Sequence, residues 1–112
     1  MKVVYVSGPI RSKWGRLGRW LNLWRGRRAA IQLWKAGFAV ICPHLNSVTL
    51  RCSVDEDKLI DGDCYIVPKC DFIVMIGGWK TSKGAVREYE TAGMVDLPIY
   101  LSTESAIAYE YE

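Results

Sequence analysis

The chain has 112 residues, half of them hydrophobic and about a quarter charged. This composition is that of one globular domain, and it excludes a disordered or low-complexity chain. The formal net charge is +3, but nine of the fifteen Lys and Arg residues and none of the twelve Asp and Glu residues lie in the first 36 positions. This asymmetry leaves three interpretations open: a nucleic-acid partner, a pocket for a small phosphate, or a basic helix packed near an acidic one.

Metal, cofactor and membrane functions have little support in the sequence. No CxxC pair occurs among the cysteines at positions 42, 52, 64 and 70, and the single histidine, His44, stands near only one of them. We therefore expect no metal site, and free thiols in a reducing cytoplasm. The leading functional interpretation given below needs no organic cofactor either. The apolar runs are far shorter than the ~20 residues that a membrane span needs, so no membrane partner is expected. The start, MKVVYVSGPI, favours a buried first strand over a signal peptide.

Short apolar strands alternate with helices in the first half of the chain. KVVYV predicts the first strand, and LGRWLNLWRGRRAAIQLWKAG predicts a long helix that stops at Gly37. FAVICP predicts a second strand, and HLNSVTLRC a loop. In the sequence SVDE, Ser53 and Glu56 predict a capping box. The helix that it opens should continue to about Val67, because Pro68 cannot extend it.

The second half of the chain repeats this alternation. DFIVMI predicts a third strand, GGWKTS a loop, KGAVREYETAGM a third helix and LPIYL a fourth strand. TESAIAYEYE predicts a short terminal helix capped by Ser102 or Thr103. The whole pattern predicts a single α/β domain over residues 1–112. Its fold would be a flavodoxin-like or Rossmann-like doubly wound parallel sheet of four or five strands in three α/β/α layers.

Three tryptophans on the long helix bear on the choice of partner. Trp20, Trp24 and Trp34 recur with Ile31 at helical spacing, and we interpret them as the face that packs into the core rather than as a surface for stacking bases. This interpretation argues against nucleic-acid binding. Trp14 and Trp79 fall in predicted loops, where exposure would favour self-association.

Two carboxylates stand out from the other acidic residues because of their helical neighbours. The residues three and four positions from Asp63 are apolar: Leu59, Ile60, Ile66 and Val67. The corresponding neighbours of Glu88 are small: Gly84, Ala85, Thr91 and Ala92. Both carboxylates are therefore expected to point inward. The alternatives are that Asp63 only hydrogen-bonds a nearby loop, and that Glu88 is an ordinary helix glutamate in an ion pair.

Ligands of doubly wound sheets bind beyond the carboxyl ends of the strands. Ser82 and Gly84 open the third helix at such an end, where unpaired amides attract anions, although Ser82 could serve merely as an N-cap. After the first strand, Gly8 allows close backbone approach and Arg11 supplies charge. Together with Tyr5 and the two carboxylates, these residues suit the cleavage of a glycosidic bond, in which one carboxylate attacks and the other manages protons.

The ordered motifs VYVSGPIR, LW..G..VICPH.N, D..I.GD, CD.IVM..GW..S.GA..E and LPIY resemble the nucleoside 2-deoxyribosyltransferase-like family, and its small phage and prophage members most closely. The resemblance covers nearly the whole chain. It implies a flavodoxin-like enzyme that cleaves or exchanges the base of a nucleoside or nucleotide through a glycosyl-glutamate. It also implies a homodimer or higher homo-oligomer in the cytoplasm of a bacterial or phage-infected cell. The alternative is a non-catalytic nucleotide-binding protein of the same fold, a sensor or a sequestering protein.

The resemblance also implies roles for individual residues. Glu88 would be the nucleophile, Tyr5 would orient it, and Asp63 would orient the ribose or protonate the base. A 5′-phosphate cradle would consist of the substrate-binding residues Gly8, Pro9, Ile10, Arg11, Ser82 and Gly84. The sequence departs from the family at Pro9, which replaces a serine, and it lacks the acidic residue that some transferases carry before the S.G motif.

Overall fold

The computed structural model describes residues 1–10, 15–43, 50 and 53–110. Its sheet contains β1 (Val3–Ser7), β2 (Ala39–Ile41), β3 (Phe72–Met75) and β4 (Ile99–Tyr100). The helices are α1 (Gly15–Lys35), α2 (Glu56–Ile66), α3 (Lys83–Met94) and α4 (Thr103–Glu110), with 3₁₀ turns at Val67–Lys69 and Trp79–Thr81.

All paired strands run parallel, in the order β2-β1-β3-β4. The chain therefore moves from β1 to one side, and then returns to add β3 on the other side. Tyr5 of β1 lies opposite Ile73, and Ser7 lies opposite Met75. The prediction of a parallel sheet is confirmed, with four strands among the described residues.

The sheet separates two hydrophobic clusters, because successive side chains of a strand point to opposite faces. On one face, α1 and α4 cover Val4, Val6, Phe72 and Val74. On the other face, the side chains of Tyr5, Ile73 and Met75 pack against α3 and the turn that follows α2. These two layers of helices confirm the doubly wound α/β/α prediction. Within the described residues, no helix is long and apolar enough to cross a membrane.

The orientation of α1 contradicts the sequence-based interpretation of its tryptophans. Trp20, Trp24 and Trp34 are 59%, 44% and 55% exposed. The helix instead buries a face of mostly small residues: Gly18, Asn22, Gly26, Ala29, Ala30 and Leu33. Small side chains let the helix axis approach the sheet closely, whereas indole rings on that face would hold it away. The prediction that the tryptophans pack into the core is therefore wrong.

The predicted capping box at the start of α2 is also wrong, whereas the end of that helix is as predicted. Asp55 is the N-cap and makes no side-chain capping hydrogen bond. Ser53 lies in a preceding turn, where its amide donates to the Leu50 carbonyl at 2.9 Å. The helix ends at Ile66, and a 3₁₀ turn that contains Pro68 follows.

Two further predictions concern helix ends and loop aromatics. Ser102 caps α4, since its Oγ accepts from the Ser105 amide at 3.1 Å. Trp79 is half-buried and stacks on Tyr89 with ring centroids 4.6 Å apart, so it contributes little exposed surface. Trp14 lies outside the described residues.

Candidate functional site

A cavity of about 440 Å³ opens where the strand order reverses, at the carboxyl ends of β1 and β3. In open α/β sheets this is the place where ligands bind. The cavity is lined by the end of β1 and the residues after it, by one face of α2 and by the first turns of α3. The fold therefore places a concave surface at the edge that the sequence pattern indicated.

Glu88 reaches this cavity because of the small residues around it on α3. Ser82 begins the helix, with its Oγ accepting from the Ala85 amide at 3.2 Å. Ala85 and Ala92, three positions before and four after Glu88, are buried with it, so this face of the helix lies close to the sheet. Glu88 is only 5% exposed, and the prediction that it points inward is confirmed.

Two hydroxyl groups from β1 hold the Glu88 carboxylate. The Tyr5 Oη donates to Glu88 Oε2 at 2.6 Å, and the Ser7 Oγ donates to Glu88 Oε1 at 2.5 Å. Tyr5 and Ser7 are 0% and 1% exposed. Because alternate residues of a strand share one face, β1 presents both donors to the same helix. Each carboxylate oxygen retains a further lone pair for a ligand.

Burial dominates the electrostatics of this group. Desolvation raises the pKa of Glu88 from 4.5 to about 7, while the hydrogen bonds from Ser7 and Tyr5 act to lower it and the charge of Asp63 acts to raise it. Burial, followed by the charges of Glu88 and Asp63, raises the pKa of Tyr5 far above its ordinary value. Tyr5 is therefore a permanent hydrogen-bond donor, and Glu88 titrates near neutral pH.

Asp63 lines the same cavity from α2. It is half-buried, and desolvation raises its pKa from 3.8 to about 6. Its charge also acts on the pKa of both Glu88 and Tyr5, so the two carboxylates are electrostatically coupled. The structure therefore brings together the two acidic side chains that the helical spacing singled out.

The two glycines of the site, Gly8 and Gly84, differ in how much room a larger side chain would have. A Cβ at Gly8 would lie 2.2 Å from Ile76 Cγ1, so only glycine fits this close approach of the backbone. A Cβ at Gly84 would meet Ile60 Cγ1 at 3.4 Å, an ordinary contact. Since Gly84 lines the cavity, its missing side chain adds open space there rather than relieving a clash.

The residues assigned to a phosphate cradle are only partly assembled in the described structure. Ile10 and Ser82 line the cavity together with the two glycines. Pro9 is buried and does not line it; the Pro9 ring lies near Gly78 instead. Arg11 lies outside the described residues. The cradle therefore remains a prediction, with Pro9 placed behind its surface.

Charged side chains form the rim of the cavity between α2 and α3. Lys83 Nζ lies 3.1 Å from Asp57 Oδ1, and Arg87 Nη2 lies 2.8 Å from Asp61 Oδ1 further along the two helices. The Lys83–Asp57 pair is largely exposed, so it is expected to add little stability. Lys83 nevertheless brings a positive charge next to Ser82 at the mouth of the cavity.

Ser7 is the residue of the candidate site that sequence reasoning missed, since its hydroxyl donates to Glu88. The signal was present, since Ser7 follows Tyr5 by two residues on one strand and therefore shares its face.

No group of three or more His, Cys, Asp or Glu side chains within the described residues could hold a metal ion. His44 and Cys52 lie outside these residues, whereas Cys42, Cys64 and Cys70 are free thiols.

The fold and the site define a parallel α/β protein with a buried carboxylate at the switch point of its sheet. A family model described as a domain of unknown function, DUF4406, matches residues 2–101, and the chain belongs to that family. The match spans Tyr5, Asp63 and Glu88. A comparison with curated proteins finds no match.

Proposed function

We propose that this protein is an N-glycosidase or 2-deoxyribosyltransferase that acts on a nucleoside or nucleotide, with Glu88 as its nucleophile. One observation carries the proposal: a buried carboxylate is held at both oxygens by Tyr5 and Ser7 in a cavity that it shares with Asp63. Fixed orientation of this kind is what a nucleophile needs for in-line attack. The resemblance to deoxyribosyltransferase-like proteins assigns the same residue the same role.

The reaction would proceed in two displacements. A Glu88 oxygen attacks the anomeric carbon, and the C–N bond breaks with its electron pair passing to the base, which takes up a proton from solvent water. The sugar is then an ester of Glu88. Water, in hydrolysis, or a second base, in transfer, attacks the same carbon, loses a proton to the solvent and releases the carboxylate. The hydroxyls of Tyr5 and Ser7 stabilise the carboxylate each time it is released.

The pKa of Asp63 favours one of the two roles proposed for it. With a pKa of about 6, Asp63 is mostly ionised at pH 7, and a carboxylate accepts hydrogen bonds. At that pH it is suited to accept from a ribose hydroxyl. Protonation of the departing base by Asp63 would require a lower pH, so orientation of the sugar is its main role in this proposal.

The experiment is an assay for free base. The protein is incubated with a panel of deoxynucleosides, ribonucleosides and their 5′-monophosphates, with and without an acceptor base, and the products are separated by chromatography. We expect base release or exchange from at least one substrate class, with a loss of about 100-fold or more in Glu88→Gln. Glu90→Gln, which changes an exposed carboxylate of the same helix, is the matched control. Equal rates in Glu88→Gln and the native protein would refute the assignment.

The second candidate function is binding of a nucleotide without turnover, in a sensor or a sequestering protein. The observation that favours it is the raised pKa of Glu88, about 7, because a half-protonated carboxyl group is a weaker nucleophile but can also donate a hydrogen bond to a ligand. Nucleotide binding measured by calorimetry, with no base release across the panel and little change in Glu88→Gln, would select this function.

A further inference from the structure

The outer surface of α1 combines indole rings with aliphatic side chains. Residues three, four and seven positions apart lie on one helical face, so Leu17, Trp20, Leu21 and Trp24 form a continuous apolar surface. All four side chains are exposed. We call this surface the tryptophan face. Contiguous exposed apolar surfaces of this kind mark binding sites.

Uncompensated positive charge surrounds the tryptophan face. α1 carries six exposed cations and no acidic residue: Arg16, Arg19, Arg25, Arg27, Arg28 and Lys35. None of them forms a salt bridge with any part of the chain that the structure describes. The Arg28 guanidinium instead lies 5.6 Å from the centroid of the Trp24 ring. An occupant of this surface is therefore expected to be anionic.

A groove of about 310 Å³ continues the tryptophan face at the carboxyl ends of β3 and β4. Trp24, Arg25 and Arg28 line it on the side of α1. On the opposite side it is lined by Ile76, which follows β3, and by Glu104, in the first turn of α4. The groove thus places an aromatic ring and two guanidinium groups around one concave space.

Of the anionic occupants, a single-stranded nucleic acid fits these features best. Such a strand supplies flat bases that stack on indole rings and phosphates that pair with arginine. Pairing of α1 with α1 of a second copy would bring two sets of six cations together. A flat lipid surface would leave the groove empty.

We propose that the tryptophan face and the adjoining groove bind single-stranded nucleic acid, with a base stacked on Trp24 and phosphates at Arg25 and Arg28. This site lies on the α1 and α4 side of the sheet, so it is independent of the chemistry proposed for Glu88. It differs from the sequence-based expectation, in which packing of the tryptophans into the core argues against nucleic acid. Their exposure removes that reason.

The test is fluorescence anisotropy of labelled oligo(dT) and oligo(U) of about 20 nucleotides, titrated with the full chain from about 50 to about 300 mM salt. We expect the logarithm of the binding constant to fall linearly with the logarithm of salt concentration. Arg25→Gln and Arg28→Gln should each reduce that slope by about 0.7, the value for one phosphate of a single strand. Trp24→Ala should weaken binding by about tenfold or more through lost stacking.

Matched controls come from the opposite layer of the protein. Lys58→Gln removes an exposed cation from α2, and Tyr65→Ala removes an exposed aromatic ring from the same helix. Neither should change the affinity by more than about twofold. Circular dichroism checks the fold of each variant. Glu104→Gln removes the carboxylate of the groove, so this variant should bind the oligonucleotides more tightly.

Three results would overturn the proposal. The first is no binding to either oligonucleotide at the lowest salt. The second is binding that Trp24→Ala and the arginine variants leave unchanged. The third is that Trp24→Ala abolishes a dimer, or binding to phosphatidylserine vesicles, while the oligonucleotides do not bind, which would assign the tryptophan face to a second copy or to a lipid surface.

Discussion

The stability of the variant Glu88→Gln relative to the native protein should increase as the pH rises, by an amount that the structure sets. Glu88 is 5% exposed, and burial raises its pKa from 4.5 to about 7. Between these two values the folded protein holds a proton that the unfolded chain has released. The free energy of unfolding therefore falls as the pH rises through this window, and the loss is complete above about pH 7. The total is about 3 kcal/mol.

Glutamine removes this dependence and can keep both hydrogen bonds. Its carbonyl oxygen accepts from one of the hydroxyls of Tyr5 and Ser7, and its amide donates to the other. We expect the stability of Glu88→Gln relative to the native protein to increase by about 3 kcal/mol from about pH 4 to about pH 8. Urea unfolding followed by circular dichroism at the two pH values, at constant ionic strength, measures this change.

If the free-energy difference between Glu88→Gln and the native protein is the same at both pH values, the carboxylate is not desolvated in the folded state. Asp63 is present in both proteins, so only the part of its titration that is coupled to Glu88 contributes to the difference. Glu90→Gln, on the exposed side of α3, is the control that should show no such increase.

Three further predictions concern Ser7, Gly8 and Gly93. Ser7→Ala removes a hydrogen bond that lowers the pKa of Glu88, so the acidic limb of the pH–rate profile should move to higher pH; an unshifted limb would mean that Ser7 only fills space. Gly8→Ala should destabilise the fold by about 1–3 kcal/mol because its Cβ would overlap Ile76. A Cβ at Gly93 would have no neighbouring atom within 4 Å, so Gly93→Ala should stabilise α3 by about 0.5–1 kcal/mol. Urea unfolding measures the effect of both glycine substitutions. Equal effects on the free energy of unfolding would contradict the packing described around Gly8.

The positions of the strands and the inward direction of Glu88 follow from local sequence. A continuous apolar run has no polar face to offer solvent, so it predicts a strand buried on both sides. Glu88 has small residues as its neighbours at helical spacing. Small side chains are typical of a helix face that packs closely against a sheet, so they indicate that Glu88 points inward. The roles in catalysis, the predicted homo-oligomer and the cytoplasmic location stay predictions.

The orientation of α1 could not be predicted by ranking hydrophobicity. Gly18, Gly26 and Ala30 are weaker hydrophobic signals than Trp20 and Trp24, yet close packing selects them because it depends on the fit of volumes. The prediction of where α2 starts was wrong because it, too, relied on a local pattern alone. A Ser-x-x-Glu pattern favours a capping box, but the turn before it determines where the helix begins.

Both borders of the sheet are short, since β2 has three residues and β4 has two. So few backbone amides and carbonyls are available there that another chain gains little by adding a strand. Edge-to-edge pairing of the sheets of two molecules is therefore disfavoured by the short edge strands. Among the described elements, the side chains on the helical layers therefore offer more surface for association than the sheet edges do, and single substitutions there can strengthen or abolish it.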